Sequence, residues 1–488
     1  MLRSTSPHIL RSTRGQYIAR SAILPSMSKP TRRAFLASLT AAGVGIACKP
    51  STTDLQPVDQ GPPVSADEPW QGVSAPSGDV AHIAVGDPTL ASVIVVGRVD
   101  ANATVTVHWS QWDGTWASPD SEELVADDGG YIRTTLTGLT AGLPIAVQLT
   151  TADASSTIVQ ARMPPAADAR TRVTLLAGSC SSQQHVDFPS LTRAVERGAP
   201  DLYIGLGDTI YADRAETSDD FRRMWMQNLQ SPSYRAMFAN TLTAFTWDDH
   251  EVDNNFDPTN TPRVNLGRDR MREVLPITID PDHPDRLWRK MSMGETVDLF
   301  IMDMRSERRP EELEFISQAQ LEWLVQGITE STATWKLVCA PVPVSRLPGL
   351  LEAELARNDT WKGDAYNEQR LAFIAAIDGI PGVLFLTGDH HMPVVSTLTP
   401  SGAGSRTWEV FTGPLGSFRS PAYVIVPESP QVLWRAQQWT TTKLEFSANG
   451  VVEVTFIGED DETWFQAIFT DTGEMLDLFT TYDPMQDA

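Results

Sequence analysis

From residue 171 onward, short and almost uninterrupted apolar runs recur between stretches with helical spacing. Residues 173–177, 202–206, 243–246, 297–302, 335–339 and 383–386 read as strands buried on both faces. Ser317 stands three residues before Gln320 and ahead of Leu321, Leu324 and Val325, which predicts a capped helix. A second helix is expected near residues 366–377. Strands that alternate with helices in this way imply a covered, layered α/β sheet. Residues 80–165 have another rhythm, with β-rich runs at 82–87, 92–98, 103–109 and 144–150 separated by turns, and these predict a small β-sandwich. Residues 450–469 return to β alternation and are expected to add strands at a sheet edge.

The first 48 residues follow neither pattern. They carry seven basic side chains and no acid, and 29–36 lead into a small-residue apolar stretch, 37–47, too short to span a bilayer. A basic region, an apolar stretch and small residues before Cys48 read as a cleavable export signal, and Arg32-Arg33-Ala34-Phe35-Leu36 resembles the twin-arginine type. Met27 is an alternative start that would leave a compact basic region. Gly45-Ile46-Ala47-Cys48 resembles a lipobox, which makes Cys48 a candidate lipid anchor, although Gly45 departs from the usual residue there. Residues 49–79 are rich in Pro, Ser, Asp and Gly and read as a flexible tether. The organisation expected is therefore a signal at 1–48, a linker at 49–79, a sandwich at 80–165 and a catalytic domain at 171–488. The expected location is outside the cytoplasm, periplasmic or at the cell surface, with the twin-arginine export machinery as a partner.

Charge narrows the function. The chain of 488 residues has 38 Lys and Arg against 62 Asp and Glu, a net −24, and removing the first 48 residues leaves −31. Such a body disfavours binding to a nucleic-acid scaffold through a general basic surface. Besides Cys48, Cys180 and Cys339 could pair, but a chain of this size needs no disulfide framework.

Candidate chemistry falls where the apolar strands stop. Gly178-Ser179-Cys180, Gly207-Asp208-Thr209-Ile210-Tyr211, Trp247-Asp248-Asp249-His250-Glu251, Asp303-Met304-Arg305 and Gly388-Asp389-His390-His391 each follow such a strand directly. Strand ends in layered α/β folds share a rim, so these residues can converge. Carboxylates and a phenol suit hard cations, imidazole suits borderline ones, and a thiolate suits a transition metal. Taken singly, each group has an ordinary reading as a turn residue, a buried thiol or a solvated histidine.

These motifs, with Asn254-Asn255 and the stretch from Glu409 through Gly413-Pro414-Leu415-Gly416-Ser417, resemble the series found in the alkaline phosphatase D, or PhoD-like, metallophosphoesterases. The resemblance covers residues 171 to the C-terminus. It implies a four-layered α/β/β/α domain behind a fibronectin- or Ig-like sandwich, and hydrolysis of phosphate monoesters and diesters with Fe3+ and Ca2+. It also implies roles: Asp208 as a bridging carboxylate, with Tyr211 and Cys180 on the ferric ion. Asp249, Asp389 and His391 become further metal ligands, with His390 an alternative to His391. His250 is the expected general acid, Arg305 a phosphate fork whose alternative is a salt bridge to Asp303 or Glu307, and Asn254 a substrate contact. Two other functions stay open: a diesterase acting on phospholipids or teichoic-acid-like polymers, and a non-catalytic surface binding protein on the same fold.

Overall fold

The computed structural model describes residues 76–182, 187–349, 360–427 and 429–480. The signal, the lipidation candidate Cys48 and nearly all of the expected tether lie outside these residues. The apolar runs form strands close to where they are expected: Val173–Gly178, Leu202–Leu206, Leu242–Thr246, Val297–Ile301, Trp335–Ala340 and Val383–Thr387. The first three pair in parallel at the centre of a ten-stranded sheet, and the last three pair in parallel in a seven-stranded one. Successive side chains on a strand point to opposite faces. Thus Leu175 and Ala177 enter a core that also holds Leu299, Ile301 and Leu386 from the second sheet, whereas Leu176 faces helices. Helices Pro189–Glu196, Ser218–Leu229, Pro232–Asn240 and Thr261–Val274 cover the outer face of the ten-stranded sheet. Helices Gln318–Glu330 and Asn367–Ile377 cover the other, giving the α/β/β/α layering. Ser317 caps the first of these two by accepting the Gln320 N–H at 3.2 Å.

The C-terminal strands Thr441–Phe446, Val451–Ile457, Thr463–Thr470 and Met475–Thr480 form one edge of the ten-stranded sheet. The other edge comes from the N-terminal region, and here the sequence-based picture of a module set apart changes. Strands His82–Gly86, Ser92–Arg98 and Tyr131–Thr137 continue the large sheet, because Gly86 pairs in parallel with Thr243. A six-stranded sheet that includes Thr104–Gln111 and Pro144–Thr150 packs onto them, and its Val105, Val107 and Val147 share the inter-sheet core. Strand Gly78–Asp79, at the end of the expected linker, pairs with Ala154–Ser155. Asp87 fastens the junction. Its carboxylate takes two bonds of 2.6 Å from Arg289, at the start of the seven-stranded sheet, and the Thr278 N–H at 2.6 Å. Among the described residues, no helix is long and apolar enough to cross a membrane.

The Asp87→Ala variant should lose about 3–5 kcal/mol, because it strands a mostly buried Arg289 guanidinium. Sandwich and catalytic body should still melt together. Chemical unfolding followed by far-ultraviolet dichroism and by tryptophan fluorescence checks this, and two separated transitions would contradict the shared sheet.

Candidate active site

The C-terminal ends of parallel strands from both sheets meet at one rim, as expected for this class of fold. The turns there are tight. Cys180, Asp208, Asn255, Asp389 and His391 have positive φ values of 54°, 52°, 53°, 60° and 54°. A left-handed backbone costs a non-glycine residue about 1 kcal/mol or more, so five of them together indicate that side-chain placement outweighs backbone comfort. Gly207, at φ 83°, makes one such turn possible, since a Cβ there would lie 2.5 Å from the Asp248 nitrogen. Glu251 then ties two turns together, accepting the N–H groups of Asp208 at 3.0 Å, Asp248 at 2.9 Å and Thr209 at 2.6 Å.

Asp208 is the common member of two donor groups, one with Cys180 and His391 and one with Asp249 and His250. Within each group the potential ligand atoms lie within 4.8 Å of one another. Tyr211 adjoins the first, with its Oη 3.3 Å from Asp208 Oδ2 and 3.2 Å from His391 Nε2. Of the neighbouring histidines, His391 faces Asp208, while His390 Nδ1 lies 3.3 Å from Lys362 Nζ, and both line the cavity. Asp389 belongs to neither trio but lines the same cavity of about 220 Å3, as do Asp208, Asp249, His250, Asn254 and Lys362. Cys180 and Cys339 are both buried and free, so the pairing left open by the sequence is not made.

The donor set fits cations. Burial, reinforced by the charge of Asp208, pushes the Cys180 thiol and the Tyr211 phenol well above their usual ranges. Burial likewise raises Asp208 and Asp248, and together with Asp208 it takes Glu251 up to about 8. These groups resist ionising together around one point unless positive charge replaces the protons. Thiolate, phenolate and imidazole on one side of Asp208 suit a transition metal, and the carboxylate on its other side suits a hard cation.

Two charged groups complete the picture. His250 Nδ1 lies 2.7 Å from Asp213 Oδ1, and its ring packs 4.1 Å from that of Tyr211. Burial disfavours its imidazolium, but the Asp213 bond and the charges of Asp208 and Asp249 outweigh this and push His250 up to about 10. Arg305 corrects an expectation. Its side chain is 2% exposed and does not line the cavity; Nε binds Asp248, and Nη2 lies 3.6 Å from Asp249 and 3.7 Å from Asp389. The ion pairs expected with Asp303 or Glu307 are replaced by these, and Asp303 instead accepts the Arg305 backbone N–H at 3.1 Å and the Trp247 indole Nε1–H at 2.9 Å. A guanidinium enclosed by three carboxylates organises them and is not presented to a phosphate.

Sequence reasoning missed Asp213, two residues past Tyr211, and Lys362, on a loop without apolar rhythm. The first had a signal, since a carboxylate beside a general-acid histidine is a recurrent device. Lys362 had none, because nothing local ties it to the histidine motif.

A family model for PhoD-like phosphatases matches residues 175–463. Alkaline phosphatase D of Bacillus subtilis (strain 168) is 23% identical over 275 residues, covering 46% of this chain and 47% of that protein. The match thus spans about half the length of that relative. A solved structure of PhoD aligns with a TM-score of 0.71 and 18% identity, over 84% of this chain and 94% of its own. The purple acid phosphatase from yellow lupin (Lupinus luteus) seeds aligns at 0.58 and 11% identity, over 82% and 73%. The layers and the rim define a metallophosphoesterase-like α/β fold. The chain belongs to the PhoD-like phosphatase family, a family of phosphoric ester hydrolases.

In the metal-free protein, His250 contributes stability that is complete below its unfolded value near 6.5 and is lost as pH rises towards about 10. The Asp213→Asn variant should flatten that decline. Urea midpoints with chelator at pH 6.5 and 10 test it, and identical pH slopes in both proteins would contradict the pairing. Arg305→Met should cost about 3–5 kcal/mol by leaving Asp248 buried without its partner, read as a lowered urea midpoint.

Proposed function

We propose that this protein is an exported, metal-dependent phosphoesterase that hydrolyses phosphate monoesters, diesters or both, with an iron and calcium centre. The observation that carries the reading is Asp208, shared by two donor groups at the floor of a cavity that His250 also lines. Family membership supports the ester bond as the target. Cys180, Asp208, Tyr211 and His391 would hold the transition metal, and Asp208, Asp249 and Asp389 the harder cation. Cations held there would supply the chemistry of acidifying a water and offsetting negative charge on the phosphoryl oxygens.

The chain's own residues account for the rest. His250 is the general acid: with Nδ1 engaged by Asp213, Nε2 is left to protonate the departing alkoxide. Its raised proton affinity keeps the acid form populated, and cations at Asp208 and Asp249 would lower that affinity towards the value a proton donor needs near neutrality. Asn254 is exposed at the mouth, its N–H held by Asp213 at 2.7 Å, and its amide side chain is available to a substrate oxygen. Arg305 acts from beneath as a positioning residue for Asp249 and Asp389. Export by the twin-arginine route, and a lipid anchor at Cys48, rest on the N-terminal sequence pattern alone.

Asp208→Asn should lower turnover of an aryl phosphate by a factor of a thousand or more, on the order expected for losing a shared ligand, and should lower the bound metal content. Wild-type turnover in this variant would remove Asp208 from the site. The purified protein should also absorb visible light through charge transfer from Tyr211 or Cys180 to iron, and a colourless, iron-free, fully active protein would refute the iron assignment.

A further inference from the structure

The cavity at Asp208 holds about 220 Å3 and is lined almost wholly by polar side chains. That is less than the ~300–1,000 Å3 of pockets that enclose a whole small molecule. Cations and a phosphate group fill such a space, so the organic part of an ester has to extend through the mouth. Among the described residues lining the cavity, Phe418 is the sole side chain made only of hydrocarbon. It is 55% exposed, and its ring meets that of His391 edge to face with centroids 4.3 Å apart. One exposed aromatic ring is ordinary on an open surface, but this one stands on a loop held from both sides. Ser417 donates its N–H to Cys180 O at 2.9 Å, and its carbonyl accepts the Trp439 Nε1–H at 2.7 Å. The Arg419 carbonyl accepts a Gln437 Nε2–H at 3.1 Å, its guanidinium lies 4.0 Å from the Trp439 ring centroid, and Ser420 donates its N–H to His391 O at 2.8 Å. The bonds to Cys180 and His391 end on residues of one donor group, so the ring is placed relative to the site and is ordered before a ligand meets it.

We propose that Phe418 is a specificity residue of this site: its exposed ring is the apolar contact for the organic group attached to the phosphate, and it favours esters of aromatic or bulky aliphatic alcohols over those of small or strongly hydrated ones. The inference deepens the phosphoesterase reading and rests on it. The phosphate itself is left to the cations, and the ring contributes area and shape to what projects from it. No covalent step is involved.

The test titrates phenylphosphonate, methylphosphonate and inorganic phosphate calorimetrically into the metal-loaded protein, wild type against F418A and F418L. The phosphonates carry a P–C bond that ester hydrolysis does not cleave, and comparing the same two ligands in each protein cancels the difference in their acidity. Wild type should bind phenylphosphonate about threefold to tenfold more tightly than methylphosphonate, the range of one aromatic contact. F418A should erase that preference, F418L should keep part of it, and inorganic phosphate, which has no organic group, should bind all three proteins alike. A phenyl preference that survives F418A would overturn the proposal, as would its absence from wild type. Equal weakening of all three ligands in F418A would overturn it too, by making the ring a support of His391. If F418A loses its metals, F418Q, which keeps bulk beside His391 without an aromatic face, takes its place under the same criteria. If wild type hydrolyses no phosphate ester, the phosphoesterase reading fails, and the titrations, which need no turnover, still decide Phe418 separately.

Discussion

A single buried guanidinium holds the rim together. Arg305 leaves the end of one strand of the seven-stranded sheet, binds Asp248 and approaches Asp249 from the ten-stranded sheet, and approaches Asp389 from a second strand of its own. Burial pushes Asp248 up; burial also disfavours the Asp249 carboxylate, but the Arg305 charge outweighs it and holds Asp249 below the usual carboxylate range. The guanidinium also registers the two sheets against each other at the point where ligands from both must agree in position. Without that constraint, Asp249 and Asp389, which come from different sheets, would lack the cation that lies between them.

Glu251 performs the complementary task for the backbone. By accepting N–H groups from the turns at Asp208 and Asp248, it compensates donors that neither turn can satisfy internally. The strained φ values around it are tolerable because those bonds, with Ser181 N–H to Asp208 O at 2.8 Å and Ser417 N–H to Cys180 O at 2.9 Å, determine the loops from several sides at once. Loops tied from several sides in this way need less ordering when a cation or substrate binds.

Much of this was readable from the chain. Apolar runs such as 202–206 mark buried strands because burial on both faces leaves no polar alternation, and the polar groups that follow them are forced to the rim by topology. Ser317 was legible as a cap because capping is local. What failed to show was direction and distance. Residue type suggested a phosphate fork at Arg305, but whether a loop side chain points into a cavity or under its floor depends on carboxylates distant in sequence. Polar strands such as Asp120–Val125 lacked an apolar signature, and the pairing of Gly86 with Thr243 left no trace in either segment.

That last pairing bears on how the molecule assembles. Strand His82–Gly86 emerges early in synthesis, yet its neighbour Leu242–Thr246 follows far later, and Val173–Gly178 pairs with Thr441–Phe446 near the chain's end. Loop closure over such separations is entropically slow, and unpaired strand edges stay exposed meanwhile. The central sheet can close only when almost the whole chain is available, so the N-terminal strands wait for their partners as apolar edges in need of protection. Completion of the central sheet is therefore a late event, and its timing is written into the order of its strands.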